Sequence, residues 1–462
     1  MTHMNPSPPL LPQVRQQAQD YRAQGRAYLD QLPRYSGIAG IDRAGLSVEQ
    51  CAAFVARFAA IERQCVFIAA ARMPDVREFE LKTALARWMW EDATHYQSLE
   101  NRVAELRSNK EAVRKVLDYQ LGDFLWEILH SPGSLELCVG LFEVLSPAYC
   151  AAIRDYLSQT QPLADFPTVR LLKGILAEEE ERLRLGAAFL VSLKQQKDGE
   201  AIARDWRGHL ERILAAAQGV LGREPLPDGH TKPAPRAAAA FRPTHEFARD
   251  ERFTAVVPKI VPGQVKDDPL RTMMWVRREE LCVAETVAVI LYDWGDDLPT
   301  QAIVDLARQC WDEARHSLFG QAALEGAGFP LQALESWIGF GMHALAESPQ
   351  KAFAHLSLAI EAGAMAYPGG KRGEWEYCRD VARHPLMTTF QDFDWADEIA
   401  HVNYGRKWLV EHHFKGNREA ARRMADESIS DRVRFYEQYG FRDWMSDRPS
   451  KGRAKPSATP GY

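Results

Sequence analysis

Residues 311–316 read Trp-Asp-Glu-Ala-Arg-His, and residues 395–401 read Trp-Ala-Asp-Glu-Ile-Ala-His. In each segment a glutamate precedes a histidine by three positions. Residues three apart lie on the same face of an α-helix. Each Glu-x-x-His motif therefore predicts a helix that directs a carboxylate and an imidazole toward one point.

Each motif follows a lone glutamate in an apolar run: Glu285 in Cys-Val-Ala-Glu-Thr-Val-Ala-Val-Ile and Glu361 in Ser-Leu-Ala-Ile-Glu-Ala-Gly-Ala-Met. The order Glu, ExxH, Glu, ExxH is typical of a carboxylate-bridged two-metal site inside a four-helix bundle. Buried carboxylates without partners are costly, and two divalent ions would compensate four of them. Carboxylate oxygens combined with imidazole nitrogens suit iron or manganese. The predicted ligands are Glu285, Glu313, His316, Glu361, Glu398 and His401.

Two neighbours of the motifs are candidates for positioning the histidines. Asp312 and Asp397 each precede an ExxH glutamate, and each is predicted to hydrogen-bond the histidine of the opposite helix. The alternative is that both are solvated acids. The corresponding alternative for the motifs themselves is that the glutamates are surface charges and the histidines are hydrogen-bonded core residues.

Length and composition limit the class of protein. A chain of 462 residues predicts two or three domains. A net charge of −6 argues against a general binder of nucleic acid or anionic membranes. The seven cysteines are scattered and form no C-x-x-C pair, which favours a reducing compartment. The first residues lack a signal-peptide pattern and no apolar run is long enough for a bilayer, so a cytoplasmic protein without a membrane partner is expected.

Helical periodicity dominates the chain, which predicts an all-α fold. We expect an N-terminal extension with a leading helix at 1–46, a first helical bundle at 47–221 and a second at 269–440. The first bundle should begin at the capping-box-like Ser47-Val-Glu-Gln. Pro- and Ala-rich residues 222–268 predict a connector partly extended against the body of the protein, and the basic residues 441–462 predict a disordered tail.

The two helical regions align with each other. Trp90-Glu-Asp-Ala-Thr-His95 matches residues 311–316 at an offset of 311 − 90 = 221, and 177–186 matches 396–405 at 396 − 177 = 219. Two single glutamates extend the match: Glu62 with Glu285 (offset 223) and Glu143 with Glu361 (offset 218). Four nearly constant offsets predict a tandem duplication.

Comparison of the copies predicts that the first site is degenerate. Its six residues are Glu62, Asp92, His95, Glu143, Glu179 and Arg182. Arg182 stands where the second copy has His401, and a guanidinium cannot ligate a metal. It can instead neutralise the carboxylates with forked hydrogen bonds. A single metal held by Glu62, Asp92 and His95 is the alternative.

These motifs resemble the ferritin-like di-iron carboxylate superfamily, which includes ferritins, rubrerythrins, manganese catalases and bacterial di-iron oxygenases. The resemblance covers about 47–220 and 270–415, and Trp-Asp-Glu-Ala-Arg-His is also similar to a little-characterised bacterial branch of the superfamily. It implies that Glu313 and Glu398 bridge two metals, that Glu285 and Glu361 are terminal ligands and that His316 and His401 are the nitrogen ligands. The tandem chain does not suit a ferritin cage subunit, and rubredoxin-type cysteines are missing.

The predicted cofactor is therefore two iron ions, with manganese or a mixed pair as the alternative. Such a site favours an O₂-dependent oxidoreductase, a mono-oxygenase, hydroxylase, N-oxygenase or desaturase acting on a small organic substrate. An external electron donor is expected, nucleic acid is not, and a homodimer is an open alternative. Two further hypotheses are a peroxidase or catalase-like scavenger and a non-enzymatic metal-binding scaffold.

Overall fold

The computed structural model describes residues 12–114, 119–224, 226, 229, 231, 233–236, 241–346, 348–366 and 369–443. Most of the predicted tail, from residue 444 on, lies outside this set, as do Pro225, Pro227 and the Ala237–Ala240 run of the predicted connector. The described residues are mostly helical, with almost no strand, so the prediction of an all-α fold is confirmed.

The helices before residue 222 include four long ones. The bounds are α1 Pro12–Ala23, α2 Val48–Arg72, α3 Phe79–Glu105, α4 Glu111–Arg114, α5 Tyr119–Leu129, α6 Ser134–Cys138, α7 Ser146–Gln159, α8 Phe166–Leu193 and α9 Gly199–Ala216. A π-helical segment, Val139–Leu145, joins α6 to α7, and short 3₁₀ turns cover Ala27–Gln31 and Tyr35–Gly37. The predicted capping box at Ser47 is confirmed, because its side chain accepts from Gln50 N while the Gln50 side chain accepts from Ser47 N.

A second set of helices lies after residue 268. The bounds are α10 Pro269–Arg278, α11 Leu281–Trp294, α12 Thr300–Gly326, α13 Gly339–Ala344, α14 Pro349–Ala354, α15 Ala362–Ala366, α16 Lys371–Glu376, α17 Pro385–Tyr404 and α18 Arg418–Glu437. Three π-helical segments lie here, His355–Glu361, Tyr377–Val381 and Gly405–His413, and 3₁₀ turns cover Gly295–Asp297 and Leu331–Ala333. Asp268 starts α10 by accepting from the N–H groups of Leu270 and Arg271.

A break in the second half positions part of the site. Helices α10 and α11 are separated by a turn at Glu279 and Glu280, whereas α2, which leads the first half, is continuous over 25 residues. The break places Glu280 at the N-terminal boundary of α11.

One apolar core runs through both halves. It extends from Cys51 on α2 to Tyr436 on α18 without division. Helices α3 and α12 meet across it, where Thr300 Oγ1 donates to Glu100 Oε1 at 2.9 Å. A smaller apolar cluster around Trp275 and Met387 packs beside α10 and α17. Side chains from both halves therefore pack in one hydrophobic core.

The described part of the connector lies against the helical body. Ala248 N donates to Pro74 O, and strand β1 (Ala255–Val256) pairs in parallel with β2 (Ser336–Trp337). These contacts hold parts of residues 241–268 against the helices.

One helical stretch has the length and apolar character of a membrane span. It covers Ser134–Gln159, and 72% of its most apolar window is buried inside the protein. This burial is typical of a core helix of a soluble protein.

Candidate metal centre

The two ExxH motifs face each other in the core. His316 on α12 and His401 on α17 have ring centroids 6.1 Å apart, and neither ring is exposed. Both rings direct Nδ1 toward a group of carboxylates. The motifs are thus brought together as their spacing predicts.

The carboxylates around His316 come from three helical regions. Its Nδ1 lies 3.2 Å from Glu280 Oε2, 3.3 Å from Asp394 Oδ1 and 3.6 Å from Glu313 Oε2. Ligand atoms of Glu280, His316, Asp394 and Glu398 all lie within 4.8 Å of one another. We call these four residues the His316 group.

The carboxylates around His401 form a second, adjoining group. Its Nδ1 lies 3.3 Å from Glu313 Oε1, 3.6 Å from Glu361 Oε1 and 4.0 Å from Glu398 Oε2. Glu313, Glu398 and His401 offer ligand atoms within 4.8 Å of one another, and we call them, with Glu361, the His401 group. Glu313 lies between the two imidazoles and Glu398 belongs to both groups, so these two carboxylates have the positions expected of bridges.

Asp312 and Asp397 make the expected contacts across the helix pair. Asp312 Oδ2 lies 3.4 Å from His401 Nε2, and Asp397 Oδ2 lies 3.2 Å from His316 Nε2. Arg315 donates to both aspartates and so links the two pairs. Because the Nε2 atoms have acid partners, each ring is held with Nδ1 toward the centre.

Glu285 does not join the cluster, which corrects the predicted ligand set. Its Oε1 accepts from Lys82 Nζ at 2.6 Å, and Arg249 binds both of its oxygens at 2.7 and 2.9 Å. Five residues along a helix rotate the side chain by roughly 140°. Glu280, beside the break between α10 and α11, therefore faces His316, while Glu285 faces α3 and the connector.

Sequence reasoning missed Glu280, Asp394 and Lys371. Asp394 stands four residues before Glu398, which places it on the same face of α17, and this spacing was a usable signal. Glu280 needed the helix break, which has no clear sequence signature. Lys371 follows Gly369 and Gly370 in a segment that reads as a loop, yet its side chain is only 7% exposed.

Burial raises the pKa values of the carboxylates in this cluster, whereas nearby positive charges lower them. Burial raises the pKa of Glu361 well above its usual range, and Glu398 and Glu313 raise it further. For Glu313, burial alone would raise the pKa, but close contacts with the imidazoles of His316 and His401 lower it to about 2. The pKa of Asp312 is likewise about 2, because His401 and Arg315 outweigh its burial.

The imidazoles are held in the charged form. Burial alone would lower the pKa of His316, but Asp394 and Asp397 raise it well above its usual value. Burial is likewise outweighed at His401, whose pKa the hydrogen bonds with Asp312 and Glu313 raise. Both protons would have to leave Nδ1 before either nitrogen could bind a metal.

The first half contains a related cluster with one arginine. Arg182 Nη2 binds Asp92, and its Nη1 lies 2.9 Å from Glu179 Oε1. His95 Nδ1 lies 3.4 Å from Glu62 Oε1, and Glu62, Asp92 and His95 offer ligand atoms within 4.8 Å. Five of the six residues predicted for the first site are thus adjacent.

Glu143 is the exception and corrects the prediction. It pairs with Lys194 Nζ at 2.6 Å, near the surface, away from Asp92 and His95. The preceding residue, Phe142, packs onto Gly186 of α8, where any Cβ would clash with its ring. Adjacent helical residues differ by roughly 100° in direction, so Glu143 points away from the cluster.

A small cavity borders the first cluster. Its volume is about 20 Å³, enough for one or two water molecules, and Glu62, Cys65, Asp92 and Tyr149 contribute to its wall. Tyr149 donates its hydroxyl to Glu62 Oε1 at 2.8 Å. The first cluster is therefore enclosed, and part of it is hydrogen-bonded, although His95 Nδ1 and Arg182 Nε have no hydrogen-bond partner among the described residues.

Comparison of the chain with family models, with curated proteins and with solved structures gave no match.

Proposed function

We propose that this protein is a non-haem O₂-dependent oxidoreductase that holds two iron or manganese ions between α12 and α17. The carrying observation is a convergence of buried carboxylate oxygens and imidazole nitrogens that make no well-aligned hydrogen bond within the described part of the chain: Glu280 Oε2, His316 Nδ1, Glu361 Oε2, Glu398 Oε2 and His401 Nδ1. Buried polar atoms are normally paired. Metal ions would give all five atoms a partner, and the mixture of oxygen and nitrogen donors fits iron and manganese.

The donor set divides into two positions. One ion would be held by Glu280, His316 and Asp394, and the other by Glu361 and His401. Glu313 and Glu398 would bridge them, as their places between the imidazoles suggest. A dinuclear site of this composition is the one that ferritin-like proteins build in a bundle core.

The chain's own residues would orient and insulate the centre. When bound, the ions supply the electrons with which O₂ is activated. Asp312 and Asp397 hold the imidazole rings with Nδ1 inward, and Arg315 keeps the two aspartates in place. The near-complete burial of the His401 group excludes bulk water from the reacting face.

The remaining parts of the functional proposal follow from the same chemistry. A small organic molecule would be the substrate, and because the sequence has no C-x-x-C pair, an external protein or small molecule would supply electrons. A cytoplasmic setting fits the seven free cysteines.

We also propose that residues 47–221 and 269–440 are two copies of one ferritin-like four-helix unit. The acid partners of the histidines support this. His95 Nε2 lies 2.9 Å from Glu178 Oε2, as His316 Nε2 lies 3.2 Å from Asp397, with offsets of 316 − 95 = 221 and 397 − 178 = 219.

Arg182 repeats the second histidine–acid pair with a different cation. It lies 3.6 Å from Glu91, as His401 lies 3.4 Å from Asp312, with offsets of 401 − 182 = 219 and 312 − 91 = 221. Arg182 therefore occupies the place that His401 has in the second half and has an acidic partner there. It has no nitrogen atom that could bind a metal.

Two glycines support the same alignment, Gly186 on α8 and Gly405 at the start of the π-helical segment that follows α17. Gly186 receives Phe142 and Gly405 receives Ser357, with offsets of 405 − 186 = 219 and 357 − 142 = 215. Applied to Glu361, the offset of 215 gives Ser146 (361 − 215 = 146), not Glu143. The first copy would thus lack equivalents of both Glu361 and His401, and we assign it no metal.

Fe(II) loading under anaerobic conditions tests the function. We expect the loaded full-length protein to develop new near-ultraviolet and visible absorbance on exposure to O₂, because oxidised iron with carboxylate and oxo ligands absorbs there. Glu313→Ala, which removes a bridging carboxylate, should show no such change. An unchanged spectrum for the iron-loaded natural chain would contradict the proposal.

The second candidate is a scavenger of hydrogen peroxide. It is favoured by the enclosure of the cluster, since neither His316 nor His401 has any exposed surface and a small oxidant reaches such a site more easily than an organic molecule. Steady oxygen evolution or peroxide loss by the metal-loaded protein, with no organic substrate present, would select this candidate over the first.

A further inference from the structure

Lys371 is a basic side chain inside the candidate metal centre. Its Nζ lies 2.8 Å from Glu398 Oε1, and 2.9 and 3.0 Å from the two oxygens of Asp394. Glu280 Oε1 is 3.8 Å away. The ammonium group thus contacts the three carboxylates of the His316 group.

A second cation reinforces this neutralisation. Arg277, at the end of α10, binds Glu280 and lies 3.1 Å from Asp394 Oδ1. Every carboxylate of the His316 group therefore has a basic partner. An incoming divalent ion would meet two fixed positive charges at this position.

The His401 group differs in this respect. Among the residues that the structure describes, no lysine or arginine forms an ion pair with Glu313 or Glu361, whose charged neighbours are the two histidines. Gln309 donates to Glu361 Oε1 at 2.8 Å and brings no charge. Of its three carboxylates only Glu398, which it shares with the His316 group, is paired with Lys371, so this position meets less fixed positive charge than the His316 group does.

We infer that the two metal positions are unequal and fill in order, with the first ion bound by the His401 group and the second by the His316 group only when the Lys371 side chain leaves Asp394 and Glu398. The inference rests on the proposed metal centre. Two like charges within hydrogen-bond distance of shared carboxylates repel each other, so Lys371 lowers the affinity of the second position. This difference in affinity would leave the protein with one bound ion at low metal concentration and with two at high metal concentration.

Anaerobic titration of the full-length protein with Mn(II) tests the order of filling. Free Mn(II) is followed by electron paramagnetic resonance, and bound metal is measured by elemental analysis after desalting. The natural chain should bind one ion at least about tenfold more tightly than the second. Lys371→Met, which keeps the side-chain length and removes the charge, should strengthen binding of the second ion about tenfold or more, whereas Lys371→Arg should not.

Two controls locate the effect. Lys407→Met removes a lysine whose Nζ lies 3.1 Å from Asp305 at the surface, and it should leave both affinities unchanged. His401→Gln should abolish the tight site and His316→Gln the weak one. These two variants test the order of filling even if Lys371→Met does not fold.

The outcomes separate the two proposals. Binding of two equivalent ions by the natural chain, or loss of the tight site in His316→Gln, would overturn the inference about Lys371 and leave the metal centre standing. A Lys371→Met protein that folds, by its circular dichroism, with an unchanged second affinity would also overturn it. If neither the natural chain nor Lys371→Met bound Mn(II) or Fe(II), the metal centre itself would be wrong.

Discussion

Glu280 and Glu285 stand five positions apart on neighbouring turns and have opposite surroundings. Glu280 faces His316, whereas Glu285 is fully buried between Lys82 and Arg249. We expect Glu280→Gln to lower the metal content of the purified protein, because it removes an anionic donor. Glu285→Gln should leave the metal content unchanged. Elemental analysis of the two proteins, prepared in parallel, measures the difference.

The two substitutions should affect the stability of the protein in the reverse order, with the larger loss in Glu285→Gln. Glu285→Gln leaves two buried cations without a carboxylate, a change that costs about 3–5 kcal/mol when a buried ion pair is broken. Denaturant unfolding of the metal-free proteins should show a larger loss for Glu285→Gln than for Glu280→Gln. If the folded Glu285→Gln protein lost its metal, Glu285 would have to be counted among the metal ligands.

Asp312 should act on the metal through His401. We expect Asp312→Asn to weaken metal binding about 10- to 100-fold, because an amide holds the imidazole less firmly and lowers its basicity. Asp305→Asn is the matched control, since Asp305 lies on the same helix and accepts from Trp408 Nε1 at 2.9 Å. Equal metal affinities in the two variants would show that the contact between Asp312 and His401 is only structural.

Metal uptake should release protons and weaken in acid. The pKa values of His316, His401 and Glu361 are all raised, which favours the protonated form of each group in the metal-free protein. Ligands bind in the deprotonated form, so apparent affinity should rise with pH, about tenfold per unit for each proton released. Calorimetry in buffers of different ionisation enthalpy counts the protons, and a count of zero would contradict the assigned protonation states.

Much of the centre could be predicted from spacing alone. Glu313, His316, Glu398 and His401 converge because the i, i+3 relation is local, and the aspartate contacts followed from the same helical geometry. Glu280 and Lys371 could not be predicted, since their positions depend on a helix break and on the course of a glycine-containing segment. Both features are set by tertiary packing.

The π-helical segment His355–Glu361 ends at a predicted ligand and packs against Gly405, the first residue of the π-helical segment Gly405–His413. A Cβ at Gly405 would clash with Ser357. We expect Gly405→Ala to destabilise the protein by about 1–3 kcal/mol and to lower metal affinity, because the repacking displaces Glu361. Thermal unfolding and Mn(II) titration measure the two effects.

Gly186→Ala is the matched change in the first half, where the methyl group would clash with Phe142. It should cost a similar amount of stability without altering metal affinity. If both alanine variants bound metal as the natural chain does, the π-helical segment would have no part in placing Glu361. Sequence periodicity did not reveal these segments, because one inserted residue in a helix leaves no composition signal.

Metal content should depend on the second half alone. Glu313→Ala is expected to abolish metal loading, whereas Glu62→Ala should leave the metal content of the protein unchanged, because Arg182 already neutralises Asp92 and Glu179 in the first cluster. Elemental analysis of the folded variants decides between the two halves. A fall in metal content with Glu62→Ala would indicate a single ion held by Glu62, Asp92 and His95.

The unbroken core from α2 to α18 limits how this protein can change over time. A gene that lost the codons for 47–221 would produce a second half with the apolar faces of α11 and α12 open to water and with Glu285 deprived of Lys82. Such a product would aggregate or be degraded. The packing surface of the first half is therefore needed by the second half, whether or not the first cluster binds a metal.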